Sequence, residues 1–271
     1  MDSSAERGVK MSEIEMLKRI AREAGEIVRE GYRSRKEVQH KGVVDLVTQY
    51  DVAAEEYLIG ALERTFPDHT LVGEESYAGL WELKRAIYID PIDGTTNFVH
   101  GIPHLAISLG VWEEGRPVLA VVYNPILDEL FWAERNRGAR LGETPLHVSA
   151  DRLLQNSLIA TGFPYAKVNR GPEYRWVVDA FAALLPQIQD IRRLGAAAID
   201  LAYLARGIFG GFYEIDLKPW DVAAGILLIE EAGGVVSNLE GAPYRFGDKG
   251  IVAGTPEIHR QLLEALPPYP K

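Results

Sequence analysis

Ile14, Leu17, Ile20, Ala24, Ile27 and Val28 recur at three- and four-residue intervals, which is the apolar face of a helix. The spacing predicts that this helix starts at Ser12 and ends at Gly31, with Glu15 three residues after Ser12 completing a capping box. A second helix is predicted from about Thr48 to Phe66, where Pro67-Asp68 stops it. The pattern then shortens to runs of strand length at 86–89, 105–112 and 118–123. The last two are joined by the hairpin signal Glu113-Glu114-Gly115-Arg116. Residues 130–133 and 138–141 read as further short antiparallel pieces. From about Ala150 strands and helices alternate. Strands are expected at 157–161, 211–214, 235–236 and 251–253, and helices near 174–185, 197–206, 220–232 and from Pro256 onward. The resulting picture is α/β: two lobes sharing one body, about 12–149 and 150–271, with a soft boundary near 145–155.

Composition narrows the function. Hydrophobic residues make up 47% and charged residues 25% of 271, the balance of a globular protein with a large core. Lys and Arg number 29 against 39 Asp and Glu, a net charge of −10 that argues against a nucleic-acid or anionic-membrane partner. A small anionic substrate stays possible, because a bound metal reverses the local sign. With no cysteine, disulfides, thiolate metal sites and cysteine nucleophiles are excluded. The most apolar long stretch, 195–213, carries Asp200 and Arg206 and is broken by glycines, so no membrane span is expected. Residues 1–11 have no apolar core and read as a disordered leader, with Met11 an alternative start; the expected compartment is the cytoplasm.

The sharpest local feature is Ile87-Tyr88-Ile89-Asp90-Pro91-Ile92-Asp93-Gly94-Thr95-Thr96-Asn97-Phe98. A buried strand delivers Asp90, and Pro91 with Gly94 is expected to turn the chain and bring Asp93 back beside it. If Thr95-Thr96-Asn97 opens a helix, its free N–H groups offer an anion site next to two carboxylates. That combination suits a divalent cation and a phosphate together. Three more acidic segments have bland readings when taken alone. Glu74-Glu75 reads as a solvated loop after Leu71-Val72, Asp221 as a helix N-cap, and Asp51 as a first-turn carboxylate facing the helix dipole.

Taken together they do not. Asp45-Leu46-Val47-Thr48 with Asp51, Gly73-Glu74-Glu75-Ser76, the block 90–98 and the Trp220-Asp221 block occur in an order and spacing that resembles the inositol monophosphatase family. This family is part of the lithium-sensitive, Mg²⁺-dependent sugar-phosphatase superfamily that includes fructose-1,6-bisphosphatases, and the resemblance covers residues 12–271. It implies a layered αβαβα sandwich, usually dimeric, with the site between the lobes. It makes Glu74, Asp90, Asp93 and Asp221 carboxylate ligands of two to three Mg²⁺, with the Ile92 carbonyl completing the first site and a weaker third ion near Glu74 and Glu75. It also implies that Gly94 and Thr95 present N–H groups to the phosphate, alongside Ile92, Asp93 and Asp221. Asp51 would pair with the Thr95 hydroxyl to orient and deprotonate water. Gly195, Ala196 and Ala197 would form the substrate wall, Glu214 would accept from substrate hydroxyls, and Lys41 would lie near the phosphate. The chain departs from many animal members at Gly195-Ala196-Ala197-Ala198, which lacks a wall hydroxyl, and it carries Lys218-Pro219 before Trp220.

The expected activity is a Mg²⁺-dependent phosphomonoesterase acting on myo-inositol 1-phosphate through metal-activated water. Fructose 1,6-bisphosphate, alone or as a second substrate, is the alternative, ahead of phosphoadenosine or histidinol phosphate. A non-catalytic regulator of the same fold is the alternative outside enzymes, although such proteins usually lose metal ligands and here all are present. A haloacid-dehalogenase mechanism fails because two residues, not one, separate Asp90 from Asp93. There is no Gly-Lys-Ser/Thr phosphate loop either. His100 and His104 beside the motif are given no role.

Overall fold

A computed structural model of the chain describes residues 11–43, 45–77, 79 and 83–270. The expected leader at 1–11 therefore falls, apart from Met11, outside the described residues. The chain opens with α1 (Glu13–Arg33), which buries the predicted stripe of Ile14, Leu17, Ile20, Ala24 and Val28. The expected capping box does not form: Ser12 is the N-cap without a side-chain bond. Glu15 turns instead to the Lys18 ammonium at 2.7 Å, which itself lies over the Trp132 ring. Gly31 does not end the helix. A Cβ at that position would lie 2.5 Å from the Tyr50 ring, so the glycine serves a close helix–helix approach and the helix runs on to Arg33.

A small antiparallel ribbon of β1 (Val38–His40) and β2 (Leu46–Thr48) follows. Its exposed first strand carries no alternation that sequence could have revealed. Then come α2 (Gln49–Thr65), β3 (Thr70–Gly73), β4 (Arg85–Asp93) and the six-residue α3 (Thr95–His100). The meander β5 (Ala106–Glu113), β6 (Arg116–Asn124), β7 (Glu129–Glu134), β8 (Ala139–Leu141) and β9 (Thr144–Pro145) completes a sheet. Among the described residues it has seven strands in the order β3 to β9, parallel only between β3 and β4.

The second half contributes β10 (Leu158–Thr161), α4 (Pro172–Leu184), β11 (Asp190–Arg192), α5 (Ala197–Ala205), β12 (Gly211–Ile215), α6 (Pro219–Glu231), β13 (Val235–Asn238), β14 (Gly250–Gly254) and α7 (Pro256–Ala265). These strands form a five-stranded sheet in the order β11-β10-β12-β14-β13, with β10 parallel to both of its neighbours.

Side-chain alternation sets the layers, because successive residues of a strand face opposite ways. On β4, Ile87 and Ile89 join the core under α1 and α2, while Ala86 and Tyr88 join the core around α5 and α6. On β12 and β14, Phe212, Ile251 and Ala253 face α5 and α6, whereas Tyr213 and Val252 face α4 and α7. The order is thus helices, sheet, helices, sheet, helices, the αβαβα sandwich expected. α5 and α6, apolar almost all round, form the shared middle layer. Among the described residues no helix is long and apolar enough to cross a membrane.

The approach of α6 to the first sheet is set by Gly110 on β5. A Cβ there would lie 2.7 Å from the Ala223 Cβ and 2.8 Å from the backbone at Ala223 and Ala224. Neither neighbour is a flexible side chain. Gly110→Ala should therefore cost about 1–3 kcal/mol through overpacking, read as a lower urea midpoint with an unchanged slope. An unshifted midpoint would mean that the two layers can separate at no cost.

Candidate active site

β4 does not turn at Pro91 as the sequence suggested. It continues to Asp93 through a register shift against β5 between Asp90 and Asp93. Pro91 has no N–H to give to a ladder, and a bulge accommodates it. Gly94 then adopts φ +92° and opens α3; a Cβ on it would lie 2.9 Å from the Ala196 Cβ. The opening N–H groups of α3 have no intrahelical partner. Asp90 Oδ1 accepts from the Ile92 N–H at 3.0 Å, and Asp93 Oδ2 accepts from the Ala198 N–H at 2.6 Å, in the first turn of α5.

Asp51 is both things the sequence allowed. Its Oδ2 accepts from the Thr48 N–H at 2.8 Å and hydroxyl at 2.5 Å, capping α2, while its Oδ1 accepts from the Thr95 hydroxyl at 2.9 Å. Glu74 and Glu75 follow β3, where the Glu74 N–H donates to the Ile89 carbonyl (3.1 Å) and the Glu75 N–H to Glu55 Oε2 (2.9 Å). Gly73 is required there, since a Cβ would lie 2.6 Å from the Glu55 carboxyl carbon. Asp221 is not the N-cap that the sequence suggested: Lys218 is, and Asp221, three residues on in the first turn of α6, accepts from the Lys218 N–H at 2.6 Å.

A cleft of about 400 Å³ is lined by Glu74, Asp90, Ile92, Asp93, Gly94, Thr95, Gly195, Ala196, Ala197, Glu214 and Asp221. All the residues expected to hold the first two metal ions or the substrate are therefore on one wall or another of the same cleft, whereas Glu75, expected near a third ion, does not line it. Asp51 lies behind Thr95. Lys41 reaches the edge of the cleft, where its ammonium binds Glu74 at 3.0 Å and Glu75 at 2.5 Å. Sequence reading missed further lining groups, among them Gly162, Lys167, Arg193 and Asp200. Gly162 makes room for Glu214, whose Oε1 would be 1.8 Å from a Cβ there. The available signal for Asp200 was a lone carboxylate inside the apolar stretch of α5. It pairs with His104 Nε2 at 2.8 Å, which satisfies that histidine and supports leaving it without a role.

These carboxyls repel one another. Burial is the main cause that pushes Glu74 up to about 8, with Asp221 and Glu75 adding and Lys41 opposing. Burial also lifts Asp93 to about 7 against the Ala198 N–H, with Asp200 adding, and lifts Asp221 to about 7 with help from Asp93. Asp90 is held well above the usual range by burial, then by Glu74 and Asp93. Crowded hard oxygen donors without enough cation among them fit a divalent ion such as Mg²⁺. As they stand, no three acidic or imidazole side chains among the described residues converge at coordination spacing. Glu74 is drawn to Lys41 through one carboxylate oxygen, and Asp221 to the Lys218 N–H.

A folded-state pKa above the unfolded value means that the folded protein holds the proton more tightly. That stability is complete below about pH 4 and is lost as pH rises towards about 8. In EDTA the urea midpoint should fall between about pH 5.5 and about pH 8, and Mg²⁺ should restore more at the higher pH. A gain from Mg²⁺ that is the same at both values would contradict this account of the cluster.

Comparison with known proteins agrees with the geometry. Residues 10–271 match the family model described as the inositol monophosphatase family. The chain is 41% identical over 249 residues to the Nus factor SuhB of Salmonella typhimurium, covering 90% of this chain and 92% of that protein. It is 40% identical over 255 residues to inositol monophosphatase 3 of Solanum lycopersicum, covering 91% and 93%. The crystal structure of the extragenic suppressor protein suhB from Bartonella henselae superposes with a TM-score of 0.87 at 38% identity, covering 93% of this chain and 97% of that one. With its layered sheets, its acidic cleft and a family match over nearly its whole length, this chain belongs to the inositol monophosphatase family.

Proposed function

We propose that the chain is a Mg²⁺-dependent phosphomonoesterase of the cytoplasm. It acts on small phosphorylated polyols or sugars, with myo-inositol 1-phosphate as the principal substrate and fructose 1,6-bisphosphate as the alternative. Residues 12–271 would act as one catalytic unit, in a homodimer, without a nucleic-acid or membrane partner. The observation that carries the reading is the set of four mutually repelling carboxylates lining one cleft beside the opening of a helix, Asp90 and Asp93 buried and Glu74 and Asp221 partly so.

In this reading Glu74, Asp90, Asp93, Asp221 and the Ile92 carbonyl would hold two Mg²⁺, with Glu74 and Glu75 near a third, and metal bound there would supply charge neutralisation at the phosphoryl group and a more acidic water. The Thr95 hydroxyl lies 2.9 Å from the Asp51 carboxylate and 3.2 Å from the Ile92 carbonyl, and in this reading donation to Asp51 leaves the Thr95 oxygen to accept from the attacking water. Burial raises the Asp51 carboxyl above its ordinary range, although the Thr48 bonds oppose this, and so makes it a stronger base for the water's proton. The N–H groups at Gly94 and Thr95 receive phosphate oxygens. Gly195, Ala196 and Ala197 shape the wall, and the Glu214 carboxylate accepts from substrate hydroxyls.

The curated relatives named Nus factor SuhB favour a second reading, a binding role carried by the same body. Retention of the whole carboxylate set supports the enzymatic reading over it. Phosphate release from myo-inositol 1-phosphate and fructose 1,6-bisphosphate, each with Mg²⁺ and with EDTA, separates the two. Mg²⁺-dependent release from either ester is expected, and none from both would favour the binding role. Asp93→Asn should abolish turnover while keeping the fold, because an amide oxygen still accepts from the Ala198 N–H; near-normal turnover would overturn the ligand assignment. Thr95→Ala should lower kcat by about 10²–10⁴, with KM changed far less.

A further inference from the structure

Single apolar side chains on a protein surface are ordinary and need no explanation. One of them in this chain has an unusual address. Of the large apolar side chains that the fold leaves exposed, Tyr165 alone, among the described residues, lines the cleft that holds the acidic cluster. The residue is 59% exposed, whereas the next most exposed aromatic, Tyr174, is 40% exposed and lies outside the cleft.

The backbone presents this ring on a defined turn. Tyr165 opens the 3₁₀ turn Tyr165–Asn169 between β10 and α4. Pro164 precedes it at φ −62°, the value its own ring enforces, and its carbonyl accepts from the Lys167 N–H at 3.1 Å. The Lys167 ammonium lies 5.9 Å from the centre of the Tyr165 ring, at the outer reach of a cation–π contact. Phe163, two residues earlier on the same wall, is packed instead. Its ring centre lies 5.7 Å from that of Phe181 and 4.9 Å from the Arg193 guanidinium carbon. The segment thus carries one aromatic ring that anchors it and one that is left uncovered.

The uncovered ring also has a direction. The Tyr165 hydroxyl is held above the usual tyrosine range, by burial first and then by the charges of Asp45, Glu74, Asp221 and Asp90. Its hydroxyl end is therefore turned toward the acidic end of the cleft, and the exposed part of the ring borders the space in front of those carboxyls. Glu214, the expected acceptor for substrate hydroxyls, lines the same space.

We propose that the Tyr165 ring is the surface on which the carbon ring of the substrate stacks, so that this residue makes the cleft favour a cyclic polyol phosphate over an acyclic one. myo-Inositol carries most of its hydroxyls around the rim and C–H bonds on its two faces. A face of that kind covers an aromatic ring without stripping water from a hydroxyl, while the rim hydroxyls go to acceptors such as Glu214. An acyclic ester has no rigid face to offer, and ordering its rotatable bonds costs conformational entropy. The inference rests on the phosphomonoesterase reading and names the residue that selects its leaving alcohol.

The test is the ratio of kcat/KM for myo-inositol 1-phosphate over glycerol 2-phosphate, both esters of secondary alcohols, measured with Mg²⁺. In the wild-type protein the ratio should exceed about 10, and Tyr165→Ala should lower it about tenfold, chiefly through KM for the inositol ester. Tyr165→Phe keeps the ring and removes the hydroxyl, and should hold the ratio within about twofold of the wild-type value. A ratio unmoved in Tyr165→Ala would overturn the inference while leaving the phosphatase reading intact. A ratio lowered as far in Tyr165→Phe as in Tyr165→Ala would also overturn it, because the hydroxyl and not the ring would then carry the effect. Hydrolysis of neither ester by the wild-type protein would overturn it as well, and fructose 1,6-bisphosphate assayed alongside would show whether the phosphatase reading falls with it.

Discussion

Glu74, Asp90, Asp93 and Asp221 come from three separated parts of the chain into one cleft, where burial and mutual repulsion oppose keeping them all charged. Much of the local architecture makes sense as the means of holding that unfavourable arrangement. The bulge at the end of β4 presents two carboxylates and a carbonyl within four residues. The first turn of α5 donates to Asp93, and the N–H at the start of α6 donates to Asp221. Glu55 fixes the turn that carries Glu75, and Lys41 supplies a positive charge to Glu74 and Glu75.

The middle helical layer links this cluster to the rest of the fold. α5 and α6 pack between both sheets, so each helix that donates to a cluster carboxylate is also core for both halves of the molecule. Glycines permit the close approach: Gly110 against α6, Gly225 against Leu201, and Gly94 against Ala196. A cleft at the junction of such layers inherits their rigidity, and that keeps repelling groups from simply moving apart.

The sequence was most informative where a local pattern and a chemical pattern coincided. The strand running into Asp90 and Asp93, the glycine after it, and Asp51 three residues after Thr48 were all legible as chemistry, and the structure brings them together as expected. Helices with long apolar faces were legible too, from α1 to α6. Elements whose stability is non-local were not. The ribbon of β1 and β2, and β11, which pairs only along an edge, have no period to detect. At Ser12 the motif was present but the bond was not, because Lys18 offered Glu15 a charged partner. Arg193, Lys167 and Asp200 escaped notice for a related reason. Their place on the cleft wall comes from packing between distant segments, which no spacing along the chain records.

The central claim is that the cluster exists to hold cations, and its most direct test is the proton count on Mg²⁺ binding. Carboxyls raised to about 7 or 8 are partly protonated at neutral pH and must release those protons when a metal displaces them. Calorimetric titration of the metal-free protein with Mg²⁺ at about pH 7, repeated in buffers of different ionisation enthalpy, gives both the binding heat and the protons released. Saturable binding of about two ions, with release of about one proton or more per chain, is the expected result. Absence of saturable binding, or binding without proton release, would contradict the account.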